Sequence, residues 1–375
     1  MKKTLILGGY GNFGRRIAAD LGRLESCLIY IAGRNLNRAQ QCCDQLNLSG
    51  LKANYQPVAL DINRPELTRQ LTQLELDLCI HTSGPFQGQD HRVAKACIEA
   101  GSHYLDLADD RRFVCDINQL DDAAIRGGVV VVSGVSTVPG LSSVVIDRLL
   151  AQFSTLDKID YSILPANQAE IGDATLRGVL SYAGQPFTTF RSGRYSQTFG
   201  WANLRTKHFG ETLGQRWLAD LDIPDLELFP QRYPELKNLS FQAGQELPLL
   251  HLTLYGFAQL RRLSLLPNLA GLTPLFQRIA ACFKSFGSDL GGMSIALSGK
   301  DLDGKPTKVT WTLIAPDGIG PQIPTLPAII LARRIINQAL TTPGAQPCLG
   351  LFSLEEFDQL AGPMGIYHQT EVTGG

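Results

Sequence analysis

An excess of charge of one sign, C-x-x-C cysteine pairs and long uncharged runs unbroken by proline are all missing from this sequence, and each absence removes a class of function. Against 34 Lys and Arg stand 35 Asp and Glu, a formal net charge of −1, so no nucleic-acid partner is indicated. The eight cysteines, at 27, 42, 43, 79, 97, 115, 282 and 348, form no C-x-x-C pair and no Cys/His cluster with zinc spacing. No metal site is expected, and the cysteines read as reduced, mostly buried thiols of a cytoplasmic protein. No Ser-His-Asp arrangement, internal repeat or low-complexity segment is legible. Nowhere do about 18 uncharged residues follow one another without a proline break, which argues against a transmembrane helix. The opening MKKTLILGGYGNFG has a charged end and an apolar run, as a signal peptide does. That run is too short, and its glycines belong to another pattern. Ordinary apolar (44%) and charged (18%) fractions over 375 residues suit a globular chain of two domains.

What is present begins at once. Residues 4–7 (TLIL) read as a buried strand and run into Gly9-Tyr10-Gly11-Asn12-Phe13-Gly14. Helical spacing follows, with Ile17, Leu21 and Leu24 on one side. Strand, G-x-G-x-x-G and helix in that order form a dinucleotide-binding fingerprint. Gly9 would permit the tight turn, Gly11 the approach of a pyrophosphate, and Gly14 close packing of the helix. The helix start would hold the phosphates on its free N–H groups. A second strand, residues 27–32 (CLIYIA), ends in Gly33-Arg34-Asn35. The carboxylate that grips the ribose of NAD belongs near this point, and Arg34 stands there instead. A guanidinium pairs a 2′-phosphate in bidentate fashion, so the sequence indicates NADP(H).

The alternation continues: a helix over 36–47, a strand over 55–60 ending at Asp61, and a helix near Pro65. A strand over 76–80 leads to His81-Thr82-Ser83-Gly84-Pro85-Phe86. Further expectations are a helix over 90–100 stopped by Gly101, a strand over 103–107, a helix over 113–126 and a strand over 129–133. Short loops between alternating strands and helices predict an α/β fold, a doubly wound parallel Rossmann sheet. Asp61 either accepts from an adenine amino group or caps the next helix. The backbone of Ser83, Gly84 and Pro85 would pass the nicotinamide ribose, at the carboxyl edge where such sheets bind ligands. Candidate proton donors are His81, His103, Tyr104 and Asp106. Each also has a plain structural reading, as backbone partner, packing residue or turn cap.

Several motifs in this order, GGYGNFG, AGR, TSGPFQGQDHRVAKACIEAGSHYLDLADD and GVSTVPGLSS, resemble the saccharopine dehydrogenase family. The chain's end, GPQIPTLPAIILARRI and GAQPCLGLFSLEEF, is similar as well. The likeness covers the first 150 residues and roughly the last 60, and the middle matches much less clearly. The resemblance implies an NADP-binding Rossmann domain, a second α+β domain carrying the substrate face and often the dimer contact, and a chain end that returns to the first domain. It implies an NADPH-dependent oxidoreductase acting on the C–N bond of a small imine or secondary amine. The wider family also includes a lipid enoyl reductase. Relatives with amino-acid substrates commonly have Asp-Pro-Gly at the turn where this chain has Val138-Pro139-Gly140. Asp109-Asp110 falls where relatives have Gly-Glu.

The organisation expected is therefore a Rossmann domain over 1–150, a substrate and dimerisation domain over 151–325 with a mixed or antiparallel sheet, and C-terminal helices over 326–375. Ser136, Thr137 and Gly140 form a turn before a helix, where free N–H groups can hold a substrate carboxylate. Strands over 159–164, from 293 and from 308 alternate, and Asp303-Gly304 signals a hairpin between the last two. In the polar stretch 165–247, Arg191 and Arg194 lie among Tyr182, Phe187, Phe190, Tyr195, Phe199 and Trp201. These form either a carboxylate grip or a run of strands in the second sheet. Residues 249–287 are strongly apolar and broken by Pro267 and Pro274. Core or dimer interface, a lipid-substrate groove, and a membrane-surface helix are the three readings. A helix over 328–340 follows Pro327, and the last residues, QTEVTGG, are expected to fray. Three functions from different classes remain: imine chemistry with NADPH, enoyl reduction on a lipid or polyketide, and a non-catalytic NADP-binding sensor.

Overall fold

A computed structural model describes residues 1–374. In chain order the first part comprises β1 (Lys3–Leu7), α1 (Asn12–Leu24), β2 (Leu28–Gly33), α2 (Leu36–Asn47), β3 (Asn54–Ala59) and α3 (Leu67–Leu74). It continues with β4 (Leu78–His81), α4 (Arg92–Glu99), β5 (His103–Asp106), α5 (Arg111–Cys115), α6 (Asp121–Gly127) and β6 (Val130–Ser133). The six strands lie in the order β6-β5-β4-β1-β2-β3, all parallel. Leu5, Leu7, Cys79, Tyr104 and Val131 sit in a buried cluster with Val93, Cys97 and Ile117 from the covering helical segments. A parallel sheet covered on both faces demands such near-continuous apolar strands. Winding reverses between β1 and β4, which opens a crevice at the carboxyl ends of those two strands. The single helix expected over 113–126 is split by a 3₁₀ turn at Asp116–Leu120. Buried Ile117 and Leu120 stand three apart there, the 3₁₀ period, before the α spacing resumes at Ala124.

The middle of the chain contributes α7 (Ser142–Leu150), β7 (Thr155–Leu164), α8 (Asp173–Tyr182), β8 (Pro186–Arg191), β9 (Arg194–Phe199), β10 (Arg205–His208) and α9 (Gly210–Leu213). Then come β11 (Gln215–Asp220), α10 (Asp225–Arg232), β12 (Asn238–Ala243), α11 (Pro248–Arg262), α12 (Thr273–Phe283), β13 (Gly291–Lys300) and β14 (Pro306–Ala315). These strands form a mixed sheet in the order β10-β11-β12-β7-β13-β14, with β12 and β7 parallel and the other neighbours antiparallel. The polar stretch 165–247 holds the strands β8 to β12 interspersed with α8, α9 and α10, and β8 and β9 pair as a hairpin. Arg191 donates to the buried Asp220 at 3.1 Å, so its charge is met inside the protein. The β13–β14 hairpin turns at Gly304 (φ +80°), and the Asp301 carboxylate accepts from the N–H groups of Asp303 and Lys305.

The chain's end divides between the two sheets. α13 (Leu326–Ile336) buries Ala328, Ile329, Leu331, Ala332 and Ile335, and Arg333 donates to Glu25 at 2.7 Å. β15 (Gly344–Pro347) pairs parallel with β6 as a seventh strand of the first sheet. After α14 (Leu354–Ala361), β16 (Tyr367–Gly374) pairs antiparallel with β14, from Tyr367 opposite Ile314 to Gly374 opposite Thr307. Gln369 to Gly374 therefore do not fray, and Gly375 lies outside the described residues. Their side chains are nearly all exposed, so a backbone ladder fixes them rather than burial, and hydropathy carries no trace of it. Met1–Leu141 and Gln322–Phe357 make up one compact unit, and Ser142–Pro321 with the residues from Asp358 onward make up the other.

No helix among the described residues is long and apolar enough to cross a membrane. All eight cysteines are free. Pairing of β16 with β14 has a direct test in amide hydrogen exchange. Amides within 367–373 that point at β14 should exchange far more slowly than those of an unstructured peptide, in alternation along the strand. Uniformly fast exchange would mean the tail is free.

Candidate functional site

The glycine turn after β1 is built from backbone contacts that leave no room for side chains. The N–H groups of Gly8 and Gly9 both donate to Ala32 O, at 2.9 and 3.1 Å, and Gly11 N donates to Gly8 O at 2.8 Å. The left-handed residue of this turn is Gly8, at φ +76°, just before the Gly9 expected to permit the turn. Gly9 is required for another reason: a Cβ there would stand 2.8 Å from Ile6 O and 3.0 Å from the Ile31 side chain. A Cβ on Gly14 would lie 2.3 Å from Gly8 O, so α1 begins pressed onto the turn itself. At Gly11 a Cβ would meet Gly8 O alone, at 3.0 Å, and otherwise open space. No side chain caps α1 at Gly11, and its first turn carries no acidic residue. Uncapped N–H groups at the positive end of a 13-residue helix suit a phosphate. Asn12 accepts from Arg16 Nε at 3.1 Å within the helix, and Phe13 is half-buried.

Tyr10 ties this turn to the end of β2. Its ring lies so close to Gly33 that a Cβ there would fall 2.5 Å from it. Its hydroxyl accepts from Asn35 N at 3.2 Å. The Arg38 guanidinium stands 4.9 Å from the ring centroid. Arg34 and Arg38 are both exposed, and no carboxylate occurs from Gly33 through Arg38. The residues present thus fit a phosphorylated ribose rather than a free diol. The sequence reading missed Arg38; its signal was the i, i+4 spacing from Arg34 across the start of α2, which Asn35 caps by accepting from Arg38 N at 3.1 Å. Asp61, half-buried after β3, accepts from Asn63 N at 3.0 Å. It shapes that turn and does not cap α3, which begins beyond Glu66.

The loop after β4 lies against the same turn. Thr82 donates to Leu7 O through its N–H (2.8 Å) and its hydroxyl (2.7 Å). Ser83 Oγ is 2.9 Å from where a Cβ on Gly8 would stand. The Gln89 side chain donates to Ser83 O at 2.9 Å and to Pro85 O at 2.7 Å, which holds Ser83, Gly84 and Pro85 in place. Gln89 was another residue the sequence did not single out.

Behind this loop the structure brings His81, Tyr104 and Asp106 together, each 0% exposed. His81 Nδ1 is 3.0 Å from Tyr104 OH, and its Nε2 is buried without a hydrogen-bond partner. Phe86 packs edge-on against the imidazole at 5.0 Å. Burial alone pushes the His81 pKa down to about 3, so the ring is neutral near pH 7. Burial also raises Tyr104, reinforced by the neighbouring Asp106. Asp106 Oδ1 accepts from Ala108 N (2.9 Å), Ser133 Oγ (3.0 Å) and Gly134 N (2.9 Å). Burial raises its pKa and these bonds oppose the shift. The trio thus underlies the loops after β4, β5 and β6 and presents no group to solvent. His103 is elsewhere: it opens β5 at the amino end of the sheet, and its Nδ1 accepts from Val130 N at 2.9 Å.

Ser136, Thr137 and Gly140 lie in the loop after β6, with Ser136 and Thr137 each 8% exposed. Val135 N donates to Asp106 O at 2.7 Å and Leu141 N to Ser136 O at 3.0 Å. A cavity of about 350 Å³ in the second unit is lined by Phe190, Arg191, Asn203, Arg205 and Asp220 among others. Arg191 pairs with Asp220 and Arg205 with Asp160. With both guanidinium charges matched, the cavity does not read as a carboxylate grip.

Residues 4–132 match the family described as the saccharopine dehydrogenase NADP binding domain. No curated protein sequence matches the chain. Among solved structures, the apo histidine-tagged saccharopine dehydrogenase (L-Glu forming) from Saccharomyces cerevisiae aligns over 100% of both chains at 15% identity and a TM-score of 0.69. A short chain dehydrogenase from Mycobacterium smegmatis aligns over 35% of this chain and 73% of its own, at 16% identity and a TM-score of 0.30. This chain thus carries a match to the saccharopine dehydrogenase NADP binding domain over residues 4–132, and its fold as a whole is similar to that of a saccharopine dehydrogenase.

Proposed function

We propose that this protein is an NADPH-dependent oxidoreductase that reduces the C=N bond of an imine, or runs the reverse oxidation of a secondary amine. The observation that carries the cofactor half is the end of β2, where Arg34 follows Gly33, Arg38 stands over the Tyr10 ring, and no carboxylate occurs from Gly33 through Arg38. The turn from Gly8 to Gly14 and the start of α1 hold the pyrophosphate on backbone N–H groups. Arg34 and Arg38 hold the 2′-phosphate, Arg38 steadied by the Tyr10 ring. Ser83, Gly84 and Pro85, fixed by Gln89, position the nicotinamide side. NADPH, when bound, would supply the hydride for the imine carbon, and the nitrogen would take its proton from solvent water. Ser136, Thr137 and Gly140 border the substrate.

His81, Tyr104 and Asp106 serve here as positioning residues. Asp106 ties the end of β5 to the end of β6 and its loop through bonds from Ser133 Oγ and Gly134 N, and neutral His81 supports Phe86 of the loop after β4. Support for the C–N reaction class comes from the fold, shared along the whole chain with a saccharopine dehydrogenase. Val138 at the position of the usual turn aspartate favours a second reading, enoyl reduction of a lipid or polyketide. Purified protein and NADPH, offered polar and lipid extracts separately, distinguish the two. Consumption of NADPH with amine and oxo-compound pairs supports imine reduction. Consumption confined to the lipid fraction would replace it with enoyl reduction, and binding without turnover in either would favour a sensor.

Replacing Arg34 by Ala should weaken NADPH binding about tenfold to a hundredfold, the loss of a charge-assisted phosphate contact, and leave NADH nearly unchanged. Arg38→Ala should act in the same direction. Equal losses for both cofactors in a binding titration would refute the 2′-phosphate assignment. His81 generates a stability prediction. Its folded pKa, about 3, lies below its ordinary 6.5, so the unfolded chain binds the extra proton first. Stability should fall as pH drops from about 6.5 toward 3, by up to about 1.4 kcal/mol per pH unit from this group. In His81→Leu that part of the slope should vanish in denaturant melts at successive pH values. An unchanged slope would show that His81 is not held neutral.

A further inference from the structure

We infer that α11, α12 and their connection form a docking surface for an anionic lipid bilayer. Seven of the sixteen large apolar side chains exposed among the described residues fall between Leu249 and Phe286. α11 has two apolar faces. The inner one, His251, Leu254 and Ala258, is buried, with His251 edge-on to Trp201 at 5.3 Å. Gly184 approaches so closely that a Cβ there would stand 2.4 Å from Ala258 O. On the opposite side Leu249, Leu252, Leu260 and Leu263 recur at helical spacing and are 60, 39, 42 and 68% exposed. Folding needs the inner stripe and leaves the outer one unused. α12 sits beside α11 through an edge-on contact of Phe257 and Phe276 at 5.5 Å. It adds Leu275 to the exposed set, and Leu265 and Phe286 flank it at 66 and 59% exposure.

Charge selects the occupant. From Leu247 through Ser288 there are four basic residues, Arg261, Arg262, Arg278 and Lys284, and no acidic one. Arg261 is spent on the carbonyls of Ser181 and Ala183, both at 2.8 Å, at the end of α8. Arg262, Arg278 and Lys284 are exposed. Two carboxylates from outside the stretch bond to it: Asp173 accepts from Gln277 at 2.5 Å, and Glu246 accepts from Ser288 N at 2.8 Å at its far end. A second copy seated symmetrically would bring the patch against itself, cations included, with no acidic residue of the segment to answer them. An anionic membrane surface offers phosphates to the cations and acyl chains to the leucines. Short helices with an apolar face and basic flanks lie in that interface rather than span it. This inference does not depend on the reaction proposed above.

The test uses the full chain in vesicle co-sedimentation, with phosphatidylcholine alone and with phosphatidylcholine mixed with phosphatidylglycerol. The protein should bind the mixed vesicles, bind neutral ones at least about tenfold less, and release with salt. Leu252→Glu with Leu260→Glu, both on the outer face, should cut binding about tenfold or more. So should Arg278→Glu with Lys284→Glu, and neither pair should alter the melting temperature or NADPH binding. Three outcomes would overturn the inference: no binding to mixed vesicles, equal binding to neutral ones, or binding indifferent to both pairs of substitutions. A dimer in sedimentation velocity that the leucine substitutions abolish would assign the face to a second copy instead.

Discussion

The contact between the backbone of Gly14 and the carbonyl of Gly8 is the constraint on which the cofactor end of the first unit depends. With a side chain at residue 14, α1 could not begin against the turn, since its Cβ would stand 2.3 Å from that oxygen. Because α1 does begin there, its uncapped N–H groups open at the carboxyl ends of β1 and β4. The same close packing recurs at Gly9 against Ile31 and at Gly33 beneath the Tyr10 ring. Three missing side chains thus fix the spacing between β1, α1 and β2, and with it the place where phosphates can be met by backbone donors and arginines.

A second level of order comes from buried polar groups placed at strand ends. Asp106 is wholly buried, and one of its oxygens, Oδ1, is answered by two N–H groups and a hydroxyl. An unanswered carboxylate there would be costly, so the arrangement holds the loop after β6 to the end of β5. Asp220 plays the same part in the second unit, accepting from Arg191, Asn203, Thr198 and Gln242. In both places a buried carboxylate fastens neighbouring segments. His81 shows the complementary case. Buried beside an aromatic edge and one phenol, it gives up its charge rather than carry it unpaired.

Both sheets also draw on the chain's end. β15 completes the first sheet beside β6, and β16 lies along β14 in the second. The two strands differ in what holds them. Ala345 packs in the first core, whereas β16 keeps nearly every side chain in water and is held by its ladder. Exposed strands of this kind carry little compositional signal, because their neighbour and not their own pattern makes them strands.

Local chemistry determined much of this protein in advance. The glycine spacing, the apolar runs of β1 through β6, the helix over 36–47 and the arginine at the end of β2 were legible because each depends on residues close together in sequence. Periodicity and steric freedom are local properties. Tertiary structure alone decided the rest. It put the left-handed turn residue at Gly8, set Arg38 over Tyr10, and enlisted Gln89 to hold a loop. It also buried His81, Tyr104 and Asp106, paired the tail as β16, and left the outer leucines of α11 uncovered. Each of these turns on which distant segment arrives alongside. A hydrogen-bond partner, a burial or a matched charge exists only once both halves are in place, and no single stretch of sequence holds both.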